Sequence, residues 1–334
     1  LSFLSGRINL TADVYLKNTD NLLFNVQIPD QTGYNSIPYN FGSLQNKGFD
    51  FELNGTIINS PVIWDATFTF GMNRNKITSL PGGQDYRPNN VSLARVGQPV
   101  GVFYGFKTLG VYERDEDNVY QKDGSGNVTQ YRKGSSTGPV YKGGDEIWQD
   151  VNGDGVINDE DLQIIGNPSP DFFGGIQTNF SYKNLRLGLF FNYVYGNEVY
   201  NNVVNSIDDY QFDTNYTIEQ LRRWKSPGDH TDVPRLVKGD PMQNNAVSSR
   251  YVEDGSFIRL QTISLNYLLP RQLLSHIGFN SASIGLNVTN LLTWSGYTGY
   301  DPEVSSSSNP LGFGVDNGAF PKSKSYNLSV DLKF

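Results

Sequence analysis

The sequence predicts an all-β protein, a transmembrane antiparallel β-barrel whose long loops gather at one end. Three observations carry this expectation. Segments of apolar/polar alternation recur along the whole 334-residue chain, which is the period of a sheet with one apolar and one polar face. Aromatic residues reach 13%, with 20 Tyr and 20 Phe, in a chain that is only 37% apolar. Lipid-facing and lumen-facing residues cancel in the average of a barrel strand, so an aromatic-rich yet polar composition suits one. The connections, finally, alternate between tight turns and very long loops, as the two rims of an outer-membrane barrel do.

The strands follow in order. Ile8, Leu10, Ala12, Val14 and Leu16 form an apolar row against Asn9, Thr11 and Asp13. Phe49, Phe51, Leu53 and Ile57 alternate with Asp50, Glu52, Asn54 and Thr56. Val62, Trp64, Ala66, Phe68, Phe70 and Met72 alternate with Asp65, Thr67 and Thr69. Phe172, Ile176, Thr178, Phe180 and Tyr182 oppose Gln177, Asn179 and Ser181. Leu185, Leu187, Leu189, Phe191, Tyr193 and Tyr195 oppose Arg186, Gly188 and Asn192. Ile263, Leu265, Tyr267 and Leu269 oppose Thr262, Ser264 and Asn266. Ala282, Ile284, Leu286 and Val288 oppose Ser283, Gly285, Asn287 and Thr289. Tyr326, Leu328, Val330, Leu332 and Phe334 close the chain against Asn327, Ser329, Asp331 and Lys333. Each is about the 9–11 residues that a tilted strand needs to cross lipid.

Tight turns are expected at 59–61 and 183–184, with a moderate one at 270–280. The long connections are expected at 18–47, 73–171, 196–255 and 291–324. If the final strand runs toward the periplasm, every long loop lies outside the cell. Within the loops only 217–225 reads as a short helix, and the serine tract 305–308 is the one low-complexity stretch.

Composition excludes several functions. The chain has no Cys, hence neither a disulfide framework nor a thiolate metal site, and its two imidazoles, His230 and His276, are too few for poly-histidine zinc chemistry. A net charge of −8 argues against nucleic acid as a partner. No run approaches the roughly 18 apolar residues of a membrane-spanning helix. The chain starts at Leu1 without a leader, the expectation being a mature protein or a piece of one.

The sharpest motif is an acidic loop at 150–161. Asp150, Asn152, Asp154, Asn158 and Asp161 stand at positions 1, 3, 5, 9 and 12, with Gly155 at position 6 and Val156 offering its carbonyl at position 7. That is the arrangement of a calcium loop built from hard oxygen donors, apart from Asp161 where the EF-hand carries Glu. The expected ion is structural calcium, and Ile157 is expected to anchor the loop. The alternative is an Asx-turn loop that holds itself by hydrogen bonds. The run Gly134 to Gly138 matches a nucleophile elbow by letter but lies in loop sequence before Pro139, so no catalytic residue is expected. The acid pairs Asp208 with Asp209 and Asp115 with Asp117 read as solvated loop. Loop aromatics, chiefly Trp148, Tyr210, Tyr251, Tyr297 and Tyr300, are the candidates for stacking on a solute or a partner.

Other stretches resemble a known family. Gly144-Asp145, the run from Trp148 to Asn158, and Ile165-Gly166-Asn167-Pro168 are similar to the C-terminal part of the SusC/RagA-like TonB-dependent transporters of Bacteroidetes. So are Asn46-Lys47-Gly48-Phe49, Phe103-Tyr104-Gly105-Phe106, Trp224 with Pro227-Gly228-Asp229, Gly255-Ser256-Phe257, Asn290-Leu291-Leu292 and Gly299-Tyr300-Asp301-Pro302. The matches run in family order from about Ile8 to Phe334. The resemblance implies the C-terminal strands of a 22-stranded outer-membrane barrel, with residues 1–334 as part of one barrel domain and 76–171 as a long extracellular loop. It further implies TonB-dependent import of glycan or peptide fragments, a SusD-like surface lipoprotein as partner, and no enzymatic activity. The plug and TonB box of that family are missing from these residues, so a longer chain is expected. A free-standing small barrel with a structural or adhesive role is the competing expectation.

Overall fold

The computed structural model describes residues 1–27, 33, 36–122, 124–210, 215–274, 278–303 and 310–333. His276, the serine tract 305–308 and Phe334 lie outside the described residues.

Eight long strands lie in chain order in one antiparallel sheet: β1 (Ile8–Gln27), β2 (Ser36–Asn59), β3 (Val62–Ser79), β4 (Phe172–Tyr182), β5 (Leu185–Tyr195), β6 (Phe257–Leu268), β7 (Ser281–Ser295) and β8 (Ser325–Lys333). The two-residue strand Ser2–Phe3 adds to the free side of β1, and among the described residues β8 forms the opposite edge of an open sheet. Every expected strand is present. The first three are longer than expected, at 20, 24 and 18 residues. The long connection expected at 18–47 is therefore mostly a continuing hairpin, with Gln27 opposite Ser36. Backbone ladder bonds hold its ends, and these need no apolar alternation. At about 3.4 Å per residue β2 extends about 80 Å, far beyond the roughly 30 Å of a bilayer core.

Register confirms the two faces. On the apolar face Phe51 meets Phe68 edge-on, Phe68 stacks on Tyr193, and Phe70, Phe172 and Tyr195 stack in series. Trp64 stacks on Phe180 and donates from Nε1 to Thr178 Oγ1 at 2.7 Å. A bulge between Thr56 and Ile58 shifts one assignment: Ile58, not Ile57, faces Trp64. The extra residue of a bulge reverses the alternation locally, which composition does not reveal. The apolar row is largely uncovered, with Val14 83%, Leu328 74% and Leu23 71% exposed.

The packed core lies elsewhere, in the loops and the end of β3 that they cover. One cluster joins Ile77, Leu80, Ala94 and Leu311. A second joins Val91, Phe103, Tyr200, Tyr251 and Val315, and a third Tyr112, Tyr141, Trp148, Ile157 and Met242. Short strands tie these clusters together, among them Val102–Gly105 with Gln163–Gly166 and Glu198–Asn201 with Val252–Asp254. The expected helix at 217–225 is a 3-10 helix, Ile218–Arg222. The helix Asn202–Ile207 was not expected; the Asn201 side chain caps it by accepting from the Val204 N–H. Its six residues are too few to show a helical period in the sequence.

Candidate functional site

The loops assemble into a folded cap over the end of the sheet where β3, β5 and β7 finish. Buried ion pairs link its parts. Arg235 donates two parallel bonds to Asp145, at 2.8 and 3.0 Å, and Asn244 bridges by donating to Asp145 while accepting from the Glu146 N–H. Glu146 in turn receives Arg250 at 3.0 Å and the Thr108 hydroxyl at 2.8 Å. Burial pushes the Glu146 carboxyl up to about 7, against the opposing pull of Arg250 and Thr108. Further along, Arg259 of β6 is 2% exposed and donates to Asp301, with Glu303 at 3.3 Å and Lys322 closing on Glu303 at 2.6 Å. This joins loop 296–324 to the wall.

The cap also shows where the expected site residues lie. Trp148, Tyr210, Tyr251 and Tyr297 are 5%, 1%, 3% and 8% exposed. They pack the loops and offer no ring face to a solute, which corrects the sequence expectation. Aromatic area is the largest apolar material available to a loop assembly that must build its own core. Tyr300 alone of the five is open, at 78%. The Gly134 to Gly138 run is a turn, with the Gly138 N–H donating to the Ser135 carbonyl, and it has no elbow geometry. Asp208 is no solvated acid: it is 2% exposed and accepts from Thr217 and Gln220.

The 150–161 loop is ordered by its own donors. Asp150 accepts the N–H groups of Gly153 and Gly155 at 2.7 and 2.8 Å, and Asp154 accepts that of Val156 at 2.7 Å. Asp161 accepts from Val151 and Asn158, both at 2.9 Å, while Asn158 accepts from Glu160. Asn152 accepts from Asp154 N–H at 3.0 Å. Gly155 has φ of +75°, and a Cβ there would meet the Tyr120 ring at 2.7 Å, so no other residue fits. Ile157 anchors the loop in the third cluster as expected. Burial first, then Asp150 and Asp154, push the Asp161 carboxyl above its ordinary value, while the Asn158 and Val151 N–H groups pull it down. Donor types and order suit a hard cation. Among the described residues, however, no three acidic or imidazole side chains converge as a metal-holding group.

The geometry defines a class: an antiparallel sheet with one uncovered apolar face, tight turns at one rim and a packed loop cap at the other. No helix among the described residues is long and apolar enough to cross a membrane. No family model matches the chain. The TonB-dependent receptors P3 and P26 of Formosa agariphila are 31% and 35% identical to it over 351 and 347 residues, each alignment taking in 100% of this chain and 33% of the relative. The TonB-dependent receptor SusC of Bacteroides thetaiotaomicron is 28% identical over 357 residues, covering 99% of this chain and 31% of its own length. Among solved structures, the RagAB peptide transporter superposes with a TM-score of 0.78 at 25% identity, over 100% of this chain and 34% of that one. The RagAB peptide importer in its 'closed-closed' state gives 0.75 at 26%. Along its whole length the chain is thus similar to TonB-dependent receptors, SusC among them, and it spans about a third of the length of the relatives it matches.

Proposed function

We propose that this chain is the C-terminal wall section and loop cap of an outer-membrane importer that takes up nutrient oligomers, glycan or peptide fragments, with energy relayed by TonB. The observation that carries the reading is alignment with receptors and importers of that kind along the entire chain. On this reading the apolar face meets lipid, the polar face meets the lumen, and the cap meets a SusD-like surface lipoprotein. Exposed side chains of the cap, Tyr300, Phe320 at 98% and Ile218 at 77%, supply apolar contacts for such a partner. The test is a strain lacking the gene, fed mixed oligosaccharides and mixed peptides. Expected is loss of uptake of one class, mirrored by a strain lacking TonB, with a lipoprotein co-purifying with the native receptor. Unchanged uptake of both classes, or a native polypeptide near 37 kDa inserted alone, would overturn it in favour of a free-standing structural or adhesive barrel.

We propose further that the 150–161 loop takes a calcium ion through Asp150, Asn152, Asp154, the Val156 carbonyl, Asn158 and Asp161. Binding would draw the three carboxylates together and relieve their mutual repulsion. Extracellular loops of this kind bind with a Kd on the order of 10⁻⁴–10⁻³ M. Amide exchange across 150–161 in the full receptor should slow when millimolar calcium is added, and Asp154→Ala should abolish that response. Identical exchange with calcium and with chelator means that the loop's hydrogen bonds suffice and the ion has no role.

A further inference from the structure

On the polar face of the sheet, three glycines lie under aromatic rings from the neighbouring strand. A Cβ at Gly48 would meet the Tyr15 ring at 2.3 Å, one at Gly71 the Phe173 ring at 2.8 Å, and one at Gly175 the Phe190 ring at 2.8 Å. Rings laid across cross-strand glycines restore the packing that the missing side chains leave open. Phe173 was not among the apolar-row residues of the sequence pattern, and its register opposite Gly71 puts it on the polar face. Its ring remains 39% exposed.

Beside that ring opens a cleft of about 280 Å³, bounded by Asp13, Asp50, Glu52, Thr69, Gly71 and Phe173. Asp13 stands directly opposite Asp50 in the β1–β2 ladder, and Glu52 lies two residues further along β2 on the same face. Like charges directly opposite one another destabilise a sheet. Among the described residues no Lys, Arg or His forms an ion pair with any of these three carboxylates. Among the described residues, the one side-chain hydrogen bond to these carboxylates is from Asn54 to Glu52. An exposed ring face attracts a cation, and the attraction grows where water is excluded. The cleft thus pairs an aromatic face with three unneutralised carboxylates around a floor that glycine keeps low. A neutral sugar would gain from the ring alone, and an anion would be repelled.

We infer that this cleft is a subsite for an ammonium or guanidinium group of the transported solute. The inference rests on the reading of the polar face as the lumen wall, and it narrows the cargo to oligomers that carry positive charge. Two sources supply that chemistry: basic peptides and amino sugars.

The experiment uses the full-length receptor in lipid nanodiscs and two pairs of probes. Tetralysine is compared with tetraglycine, and the glucosamine tetramer with the N-acetylglucosamine tetramer. One cationic probe, or both, should bind more tightly than its neutral counterpart, and the pair that shows the difference identifies the source. Raising salt should weaken that binding, and Asp50→Asn and Phe173→Leu should each lower the affinity for the cationic probe about tenfold or more, with neutral probes unaffected by Asp50→Asn. Asp13→Asn, at an exposed position, provides a third variant with little bearing on folding. Equal binding of charged and neutral probes, or variants that bind as the wild type does, would overturn the subsite. So would a wild type that ignores all cationic probes while Asp50→Asn changes thermal stability, since a basic side chain elsewhere in the receptor would then fill the cleft. TonB-dependent uptake that persists with no preference for charge sinks the subsite and leaves the importer standing.

Discussion

Replacing Arg259 by alanine will release loop 296–324 from the sheet, at a cost of about 3–5 kcal/mol for the broken buried ion pair. The guanidinium is 2% exposed and Asp301 5%. Burial pushes the Asp301 carboxyl up, but the Glu303 and Lys322 N–H groups and the Arg259 guanidinium outweigh it, leaving the carboxyl below its ordinary value. Truncation would strand that carboxylate in the cap with its cationic partner gone. Arg259 Nε and Nη1 have no hydrogen-bond acceptor among the described residues, and Glu303 at 3.3 Å is too poorly aligned to serve as one. Part of the guanidinium's desolvation is therefore uncompensated. Accordingly, Arg259→Met combined with Asp301→Leu should lose less than Arg259→Ala alone, because removing both charges leaves neither one orphaned. Amide exchange over 297–303 in the full receptor measures it. Acceleration by roughly two to four orders of magnitude corresponds to that cost. Exchange at the wild-type rate would show that the loop is held by other contacts.

The second large effect is directional. A charge placed on the apolar face, Leu189→Arg, should cost about 2–4 kcal/mol if that face meets the bilayer midplane. The control belongs on the polar face of the adjacent strand. Gln177 serves: it is exposed, and it pairs with Thr67 of β3 and Phe190 of β5. Asn192 is the less suitable control, since the register sets it directly opposite Arg259 and an added cation there would meet like charge. Folding of the full receptor into lipid vesicles, followed by heat-modifiable migration on gels, should show Leu189→Arg impaired and Gln177→Arg close to wild type. Equal yields would remove the lipid-facing assignment.

All eight long strands, their faces and the tight turns were legible in the residues. Alternation of period 2 is a local property, and one exposed apolar row forces it along each strand. The acidic loop was legible for the same reason, because Asp150, Asp154, Gly155 and Asp161 act on backbone within twelve residues of one another. Strand ends were less so: beyond about Asn18 and before Lys47 the hairpin continues on backbone pairing and a few cross-strand amide bonds, such as Asn40 to Asn21, and no apolar alternation marks it. The bulges at Ile57 and in β6 were hidden too, since one extra residue changes register without changing composition.

What only the tertiary structure decided is the cap and the polar wall. Trp148, Tyr210, Tyr251 and Tyr297 look in sequence like surface aromatics of long loops. They are buried because segments some hundred residues apart, such as those around Phe103, Tyr200 and Val315, close on one another. The same holds for Arg259 with Asp301, and for Phe173 over Gly71 beside Asp13 and Asp50. Such contacts depend on which strands become neighbours and in what register. That is set by the free energy of the whole assembly, and no short window of sequence carries it.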